Sequence, residues 1–193
     1  MIYLLSPNLI YLAVPGFFVL VLLAWVIGTY NGLVRLRQHV RESWAGIDTE
    51  LKRRYDLIPN LVRTVKGYAA YEREVLQRVT EARALAVAST GPPESQARDE
   101  NALVDSLRHM FAVVERYPDL KASGHFRDLQ QELVDTEDRI AAARRFYNGN
   151  VRDLNTRIEV VPSNLLATLF GFRTGQFFEI QDASVRAAPR VLM

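Results

Sequence analysis

Between Leu9 and Thr29 almost every side chain is apolar, and the first charged residue of the chain is Arg35. That run matches the ~20 residues a helix needs to cross a hydrocarbon layer. Leu9, Phe17, Phe18, Leu22, Trp25 and Thr29 mark its length as the expected membrane-spanning residues. Pro15 and Gly16 interrupt the pattern, and membrane helices accommodate both. Trp25 and Tyr30 lie toward one end, where amphipathic rings favour the water boundary. A cleaved leader would carry a basic start and a small-residue cleavage site after the apolar run. Here no Lys or Arg precedes the run, and Thr29-Tyr30-Asn31-Gly32 follows it. Residues 1–30 are therefore expected to be an uncleaved anchor with a short N-terminal tail.

Beyond the anchor, apolar residues recur at spacings of three and four, the period of a helical face. Leu33, Leu36, Val40, Trp44, Ile47 and Leu51 form a first stripe, and no Gly-Pro linker separates it from the membrane helix. Asp56 and Pro59 predict a break, Asp as an N-cap and Pro as a first-turn residue. Ile58, Leu61, Val65, Tyr68, Glu72, Val75 or Leu76, Val79 and Ala82 or Ala86 form a second stripe, ended by the loop Thr90-Gly91-Pro92-Pro93. Leu103, Leu107, Met110, Val114 and Tyr117 form a third, closed by Pro118. The fourth and longest runs through Phe126, Leu129, Leu133, Glu137, Ile140, Arg144, Tyr147, Val151, Leu154 and Ile158 to Val161-Pro162. No alternating β-branched run competes. The predicted fold is all-α: one N-terminal transmembrane helix continuous with an antiparallel four-helix bundle over residues 31–162.

Residues 163–181 read differently. Leu165, Leu166, Leu169, Phe170, Phe172, Phe177, Phe178 and Ile180 make this segment unusually apolar, while Gly171 and Gly175 prevent a long helix. Two readings stay open. The segment folds back to cap the core of its own bundle, or its aromatics dock on a neighbouring subunit or the membrane surface. Residues 182–193 are expected to be disordered.

The chemistry-bearing residues narrow the function by subtraction. With 24 Lys and Arg against 22 Asp and Glu, the net charge is only +2 and the signs intermingle, which argues against a nucleic-acid stripe. Cysteine is absent, so disulfides, thiolate catalysis and Cys-zinc sites are excluded. His39, His109 and His125 stand at no metal-ligand spacing from one another. No glycine-rich phosphate cradle or GxSxG elbow occurs. No catalytic, cofactor-binding or metal residue is assigned, and no enzyme is expected. Arg35, Arg37 and Arg41 follow the apolar run with nothing basic before it except the amino terminus. The positive-inside rule then places the helical domain in the cytoplasm and the N-terminus outside.

Some polar residues fall where the stripes should be apolar. Glu72, Glu137 and Arg144 do so, and the last two are one heptad apart. Their expected role is pairing, with each other or with Arg53, Arg54 or Asp56, to fix helix register; a metal-binding carboxylate site is the weaker alternative, because the Glu-x-x-His motif is missing. Asn148 and Asn155 are also one heptad apart, as a polar ladder between helices or as residues of the solvent edge.

The order of short motifs is itself informative. Asn31-Gly-Leu-Val-Arg-Leu-Arg, Ser43-Trp-Ala-Gly-Ile-Asp, Leu51-Lys-Arg-Arg-Tyr-Asp-Leu-Ile-Pro-Asn-Leu-Val and Thr64-Val-Lys-Gly-Tyr-Ala occupy the first half. Tyr117-Pro-Asp-Leu-Lys-Ala, Arg144-Arg-Phe-Tyr-Asn, Asn155-Thr-Arg-Ile-Glu, Pro162-Ser-Asn, Phe170-Gly-Phe and Phe177-Phe-Glu occupy the second. In this series the chain resembles the LemA family of bacterial membrane proteins, with Leu154 in place of a second Tyr-Asn pair and Val161 in place of Phe. The resemblance implies one membrane helix, an outward N-terminus and a cytoplasmic helical bundle in the bacterial inner membrane. It implies no enzymatic activity; some relatives act in forming magnetosome membranes and others are encoded near membrane proteases. The leading expectation is a homo-oligomeric membrane scaffold whose self-association uses Trp44, Asp48, Phe170, Phe172, Phe177 and Phe178. The alternative is an adaptor for a membrane-protein partner such as a protease, with Arg53, Arg54, Asp56, Asn60 and Lys66 as the candidate patch, a cluster that a solvated turn would equally explain.

Overall fold

The apolar run and the stripe behind it form a single helix. In the computed structural model, which describes residues 7–180 and side chains from Val14 onward, α1 spans Pro7–Tyr68. The side chain of Leu9, the N-terminal tail and the disorder expected over 182–193 lie outside the described residues. Then follow α2 (Arg73–Ala88), α3 (Pro93–Val114), α4 (Pro118–Ala122), α5 (Gly124–Glu159) and α6 (Ser163–Leu169). No strand occurs among the described residues. Pro93 and Pro118 open their helices, where a missing N–H costs nothing.

The break predicted at Asp56 and Pro59 does not occur. Pro59 has no N–H, so the carbonyl of Tyr55 loses its helical donor. Arg83 Nε on α2 donates to that carbonyl at 2.6 Å instead. With its orphaned acceptor satisfied, α1 runs on to Tyr68, and the chain turns at residues 69–72, where the Glu72 N–H donates to the Ala69 carbonyl at 3.1 Å. The second stripe therefore belongs to two helices: Ile58, Leu61 and Val65 lie on α1, and Leu76, Val79 and Ala86 on α2.

The chain divides into two compact units, to both of which α1 and α5 contribute. One unit comprises Arg41–Gly149 together with the residues from Gln176 onward. Its core joins Ile58, Leu61 and Val65 of α1, Leu76 and Val79 of α2, Leu103, Leu107 and Met110 of α3, and Phe126, Leu129 and Leu133 of α5. Short turns between successive helices make this an antiparallel four-helix bundle. Burying each of these side chains stabilises the bundle by roughly 1.5–3 kcal/mol.

The other unit comprises the residues up to Val40 and Asn150–Gly175. Leu33, Leu154, Ala167 and Phe172 are buried together there, with Val34, Leu36, Val40 and Ile158 packed beside them. The start of α1 has no such cover. Phe17 and Phe18 are two-thirds exposed, and Val14, Val19, Leu20, Val21, Leu22, Leu23 and Ile27 are at least half exposed. A core helix of a soluble domain would bury these side chains, whereas a helix apolar on every side is solvated by lipid. The chain is a membrane protein with one spanning helix among the described residues. Within that segment Trp25 is half-buried and Thr29 is buried by the chain itself.

Arg83 and Pro59 are thus coupled. Arg83→Ala should cost about 1–3 kcal/mol, since it strands a carbonyl acceptor. In a Pro59→Ala background the same change should cost much less, because the backbone at that position regains its helical N–H. Urea denaturation of the four chains of this cycle in detergent checks it; equal costs in both backgrounds would rule the coupling out.

Candidate functional site

Arg54 is completely buried in the bundle, and its guanidinium explains the neighbouring polar positions. Nη1 donates to both carboxylate oxygens of Glu137, at 2.9 and 3.2 Å. Nη2 donates to Oε2 of Glu100, which is also buried. The hydroxyl of Tyr55, the next residue on α1, donates to the other Glu100 oxygen. One cation thus joins α1, α3 and α5. Burial alone would lower the Arg54 pKa, but Glu137 and Glu100 outweigh it and the net direction is upward. Burial pushes the Glu100 carboxyl above its usual 4.5, against the opposing pull of Arg54 and Tyr55. Burial and the adjacent Glu100 carboxylate raise the Tyr55 phenol.

Glu137 pairs with Arg54, and the other polar residues singled out in the sequence lie elsewhere. Arg53 lies 3.5 Å from Glu50 on the same helix, and Asp56 is exposed. Glu72 accepts from Arg116 at 2.8 Å and from the Tyr117 hydroxyl at 3.1 Å. Arg144 donates to the carbonyl of Ile180. The surface patch drawn from Arg53, Arg54, Asp56, Asn60 and Lys66 loses its central cation, because the Arg54 face of α1 points into the core. The carboxylates of the cluster are engaged, while Nε of Arg54 is buried without a hydrogen-bond partner. Each Glu100 oxygen has a donor, Glu137 is engaged by Arg54, and no three His, Asp or Glu side chains converge on a metal site among the described residues.

A second set of polar contacts ties down the segment after α6. The Asn148 amide binds the backbone of Phe178 twice: Nδ2 donates to the carbonyl at 3.0 Å, and the Phe178 N–H donates to Oδ1 at 2.9 Å. In the other unit Asn155 clamps Gly175 in the same way, at 3.0 and 2.7 Å. These asparagines are neither an interhelical ladder nor a solvent edge. Each amide imitates the paired N–H and C=O of a neighbouring strand. Tyr147 adds a hydroxyl bond to the Gln176 carbonyl at 2.9 Å. From Asn148 to Arg144 α5 rises about 6 Å, and from Phe178 to Ile180 an extended chain advances about 7 Å. The segment can therefore lie antiparallel to α5 in this unit with each contact in register.

Of the residues expected to self-associate, some are occupied within the chain. Phe178 is fully buried against Trp44, which also meets Tyr147, with edge-on ring centroids 5.0 and 5.2 Å apart. Phe172 is buried in the other unit beneath Arg37, whose guanidinium carbon lies 5.1 Å from the ring centre. Asp48, Phe170 and Phe177 are exposed.

A buried charge cluster joining three helices, amide clamps on a returning segment and one lipid-facing helix now stand beside the motif order. The model of the LemA family matches residues 43–192. The chain belongs to the LemA family. It is also similar to two magnetosome proteins MamQ of Paramagnetospirillum magneticum, each 26% identical over 190 residues, covering 86% of this chain and 70% of the relative. Protein LemA of Metamycoplasma hominis is 28% identical over 167 residues, covering 82% of this chain and 74% of that one. Glu100 escapes a reading of this LemA-family sequence because the apolar spacing of the third stripe begins at Leu103. Carried one and then nearly two turns back along α3, the same face holds Glu100 and Ala97, both buried.

Arg54→Met leaves Glu100 and Glu137 without their cation and should cost about 3–5 kcal/mol. Adding Glu100→Leu and Glu137→Leu should restore most of that loss in urea melts. Glu100 also sets a pH dependence. Because its folded pKa is raised, its ionised form destabilises the fold above that value, and the penalty is relieved as pH falls through it toward 4.5. The stability of the native chain relative to Glu100→Gln should therefore rise on acidification across that window; a pH-independent difference would contradict the assignment.

Proposed function

We propose that this LemA-family chain is a membrane scaffold: a non-enzymatic protein that assembles with copies of itself and organises the bilayer it is anchored in. The observation that carries this reading is a pair of exposed aromatics, each next in sequence to a residue tied down by a hydrogen bond. Phe146 is 66% exposed and Phe177 is exposed too, and they flank the hydrogen bond between Tyr147 and Gln176. The Asn148 clamp immobilises the backbone next to Phe177, so little conformational entropy is lost when a neighbour docks. Rigid exposed aromatics are the side chains that dominate interface energetics. Contacts repeated head to tail between anchored copies would close a ring or extend as a lattice. The carboxylates of Glu100 and Glu137 are engaged by groups of the bundle's own helices, which supports binding over catalysis. Two relatives named as magnetosome proteins support a role in organising a membrane compartment. Arg35, Arg37 and Arg41 support a cytoplasmic domain on the inner membrane.

One observation favours an adaptor as the second reading. An open cavity of about 390 Å³, lined by Glu94, Arg98, Asn101, Phe177 and Glu179, offers mixed polar and apolar contacts to a protein partner such as a protease.

Light scattering of the detergent-solubilised full chain should show a large, discrete assembly. Phe146→Ser with Phe177→Ser should weaken that assembly at least about tenfold, or ~1.4 kcal/mol, with unchanged helical circular dichroism. A monomer or dimer in the native chain would remove the scaffold and put the adaptor first.

A further inference from the structure

In the unit that contains the spanning helix, α5 runs back along α1 toward the apolar run. Asn150 Nδ2 reaches the His39 carbonyl at 3.4 Å, and Leu154, less than two turns from the end of α5, shares a core with Leu33. The α5–α6 turn therefore lies at the membrane end of this unit. It is built firmly: the Ser163 hydroxyl sits 2.7 Å from the Arg157 carbonyl and 2.8 Å from that of Val160. Yet its outer surface is apolar, with Val161 73% exposed.

Helix α6 continues that surface. Leu166 and Ala167 face the core, while Leu165 and Leu169, one turn apart, are 68% and 73% exposed. The helix ends in a Schellman motif: the Phe172 N–H donates to the Ala167 carbonyl, the Gly171 N–H donates to that of Thr168, and Gly171 has φ of 67°. This cap returns Phe172 to the core beside Ala167 and leaves Phe170 half exposed. The Phe170 ring lies edge-on to Tyr30 of α1, with centroids 4.9 Å apart. Tyr30 is less than one turn beyond Ile27, the last of the exposed apolar residues of the spanning run. The patch is therefore continuous with the lipid-facing surface of α1, and the charged residues beside it, Arg157, Glu159 and Arg173, are exposed, two cations against one acid.

We propose that the α5–α6 turn and the outer face of α6 insert into the headgroup layer of the membrane that α1 crosses. Val161, Leu165, Leu169 and Phe170 then form a second, shallow lipid contact next to the deep one. This site needs one copy of the chain only, so it goes beyond assembly and does not depend on it. Side chains seated at the headgroup–acyl boundary of one leaflet widen that leaflet, and exposed arginines favour anionic lipid.

The absence of cysteine makes the test direct. A single cysteine at Val161, Leu165 or Leu169 of the full chain is labelled with an environment-sensitive fluorophore and reconstituted in phosphatidylcholine–phosphatidylglycerol vesicles. Leu22→Cys serves as the deep reference and Tyr71→Cys, at a residue 98% exposed, as the aqueous one. The three sites should emit to the blue of position 71 and be quenched more by lipids with a shallow nitroxide than by lipids with a deep one. Position 22 should show the reverse depth order. Emission at 161, 165 and 169 matching position 71 would overturn the proposal. So would blue emission without lipid quenching, which would assign the patch to a protein neighbour. Because the substituted side chains are exposed, helical circular dichroism should be unchanged; if one labelled chain misfolds, the other two positions decide.

Discussion

A guanidinium in a protein core has to be neutralised where it stands, and the bundle is arranged around that requirement. Arg54 is wholly enclosed, so Glu100 and Glu137 are held beside it, which aligns α3 and α5 against α1. Apolar stripes at near-heptad spacing could slip by one turn and recover much of their contact. A buried charge cannot slip, since any other register leaves it or its carboxylates unpaired. The residues next to Arg54 extend the same knot. Tyr55 donates its hydroxyl to Glu100, and its carbonyl receives Arg83, which is what lets α1 pass through Pro59. Two carboxylates share one cation, and Glu100, the more deeply buried of the two, is held above its usual range chiefly by that burial.

Much of this was legible in the apolar pattern. Leu103, Leu107, Met110 and Val114 of the third stripe are buried, as are Phe126, Leu129, Leu133, Ile140, Tyr147, Val151 and Leu154 of the fourth. What escaped has a common cause: the deciding partner is distant in sequence. Asp56 and Pro59 carry every local sign of a helix start, and a side chain on the next helix overrides them. Asn148 and Asn155 look like a seam between helices because their spacing is helical, but they bind backbone, which has no residue type to recognise. Composition showed that the segment after Pro162 is apolar. It could not say which aromatics turn inward, because that depends on the clamp at Phe178 and the positive φ of Gly171.

The returning segment has two tasks in each unit. Neighbouring residues of an extended chain point to opposite sides, so fixing the Phe178 backbone buries that ring and turns Phe177 outward. In the other unit the α6 cap does the same with Phe172 and Phe170. Surface and core are therefore set by the same hydrogen bonds. Loosening a clamp would disturb the buried aromatic and the exposed one together.

That coupling bears on how a function should be assigned to the exposed aromatics. Substituting Phe178 or Phe172 removes core packing, and a lost assembly or lost lipid contact would then report on folding. Substituting Phe177 or Leu165 changes chiefly what the chain presents, because both side chains are exposed. Their surroundings also differ in kind. Phe177 lies beside Glu94, Arg98 and Glu179, charged groups suited to a protein surface. Leu165 belongs to a segment without acidic side chains from Val160 to Gly175, with Arg173 as its charged residue. Lipid headgroups tolerate that composition, and anionic ones favour it. The two apolar surfaces are chemically distinct, which is why one is assigned to protein and the other to membrane.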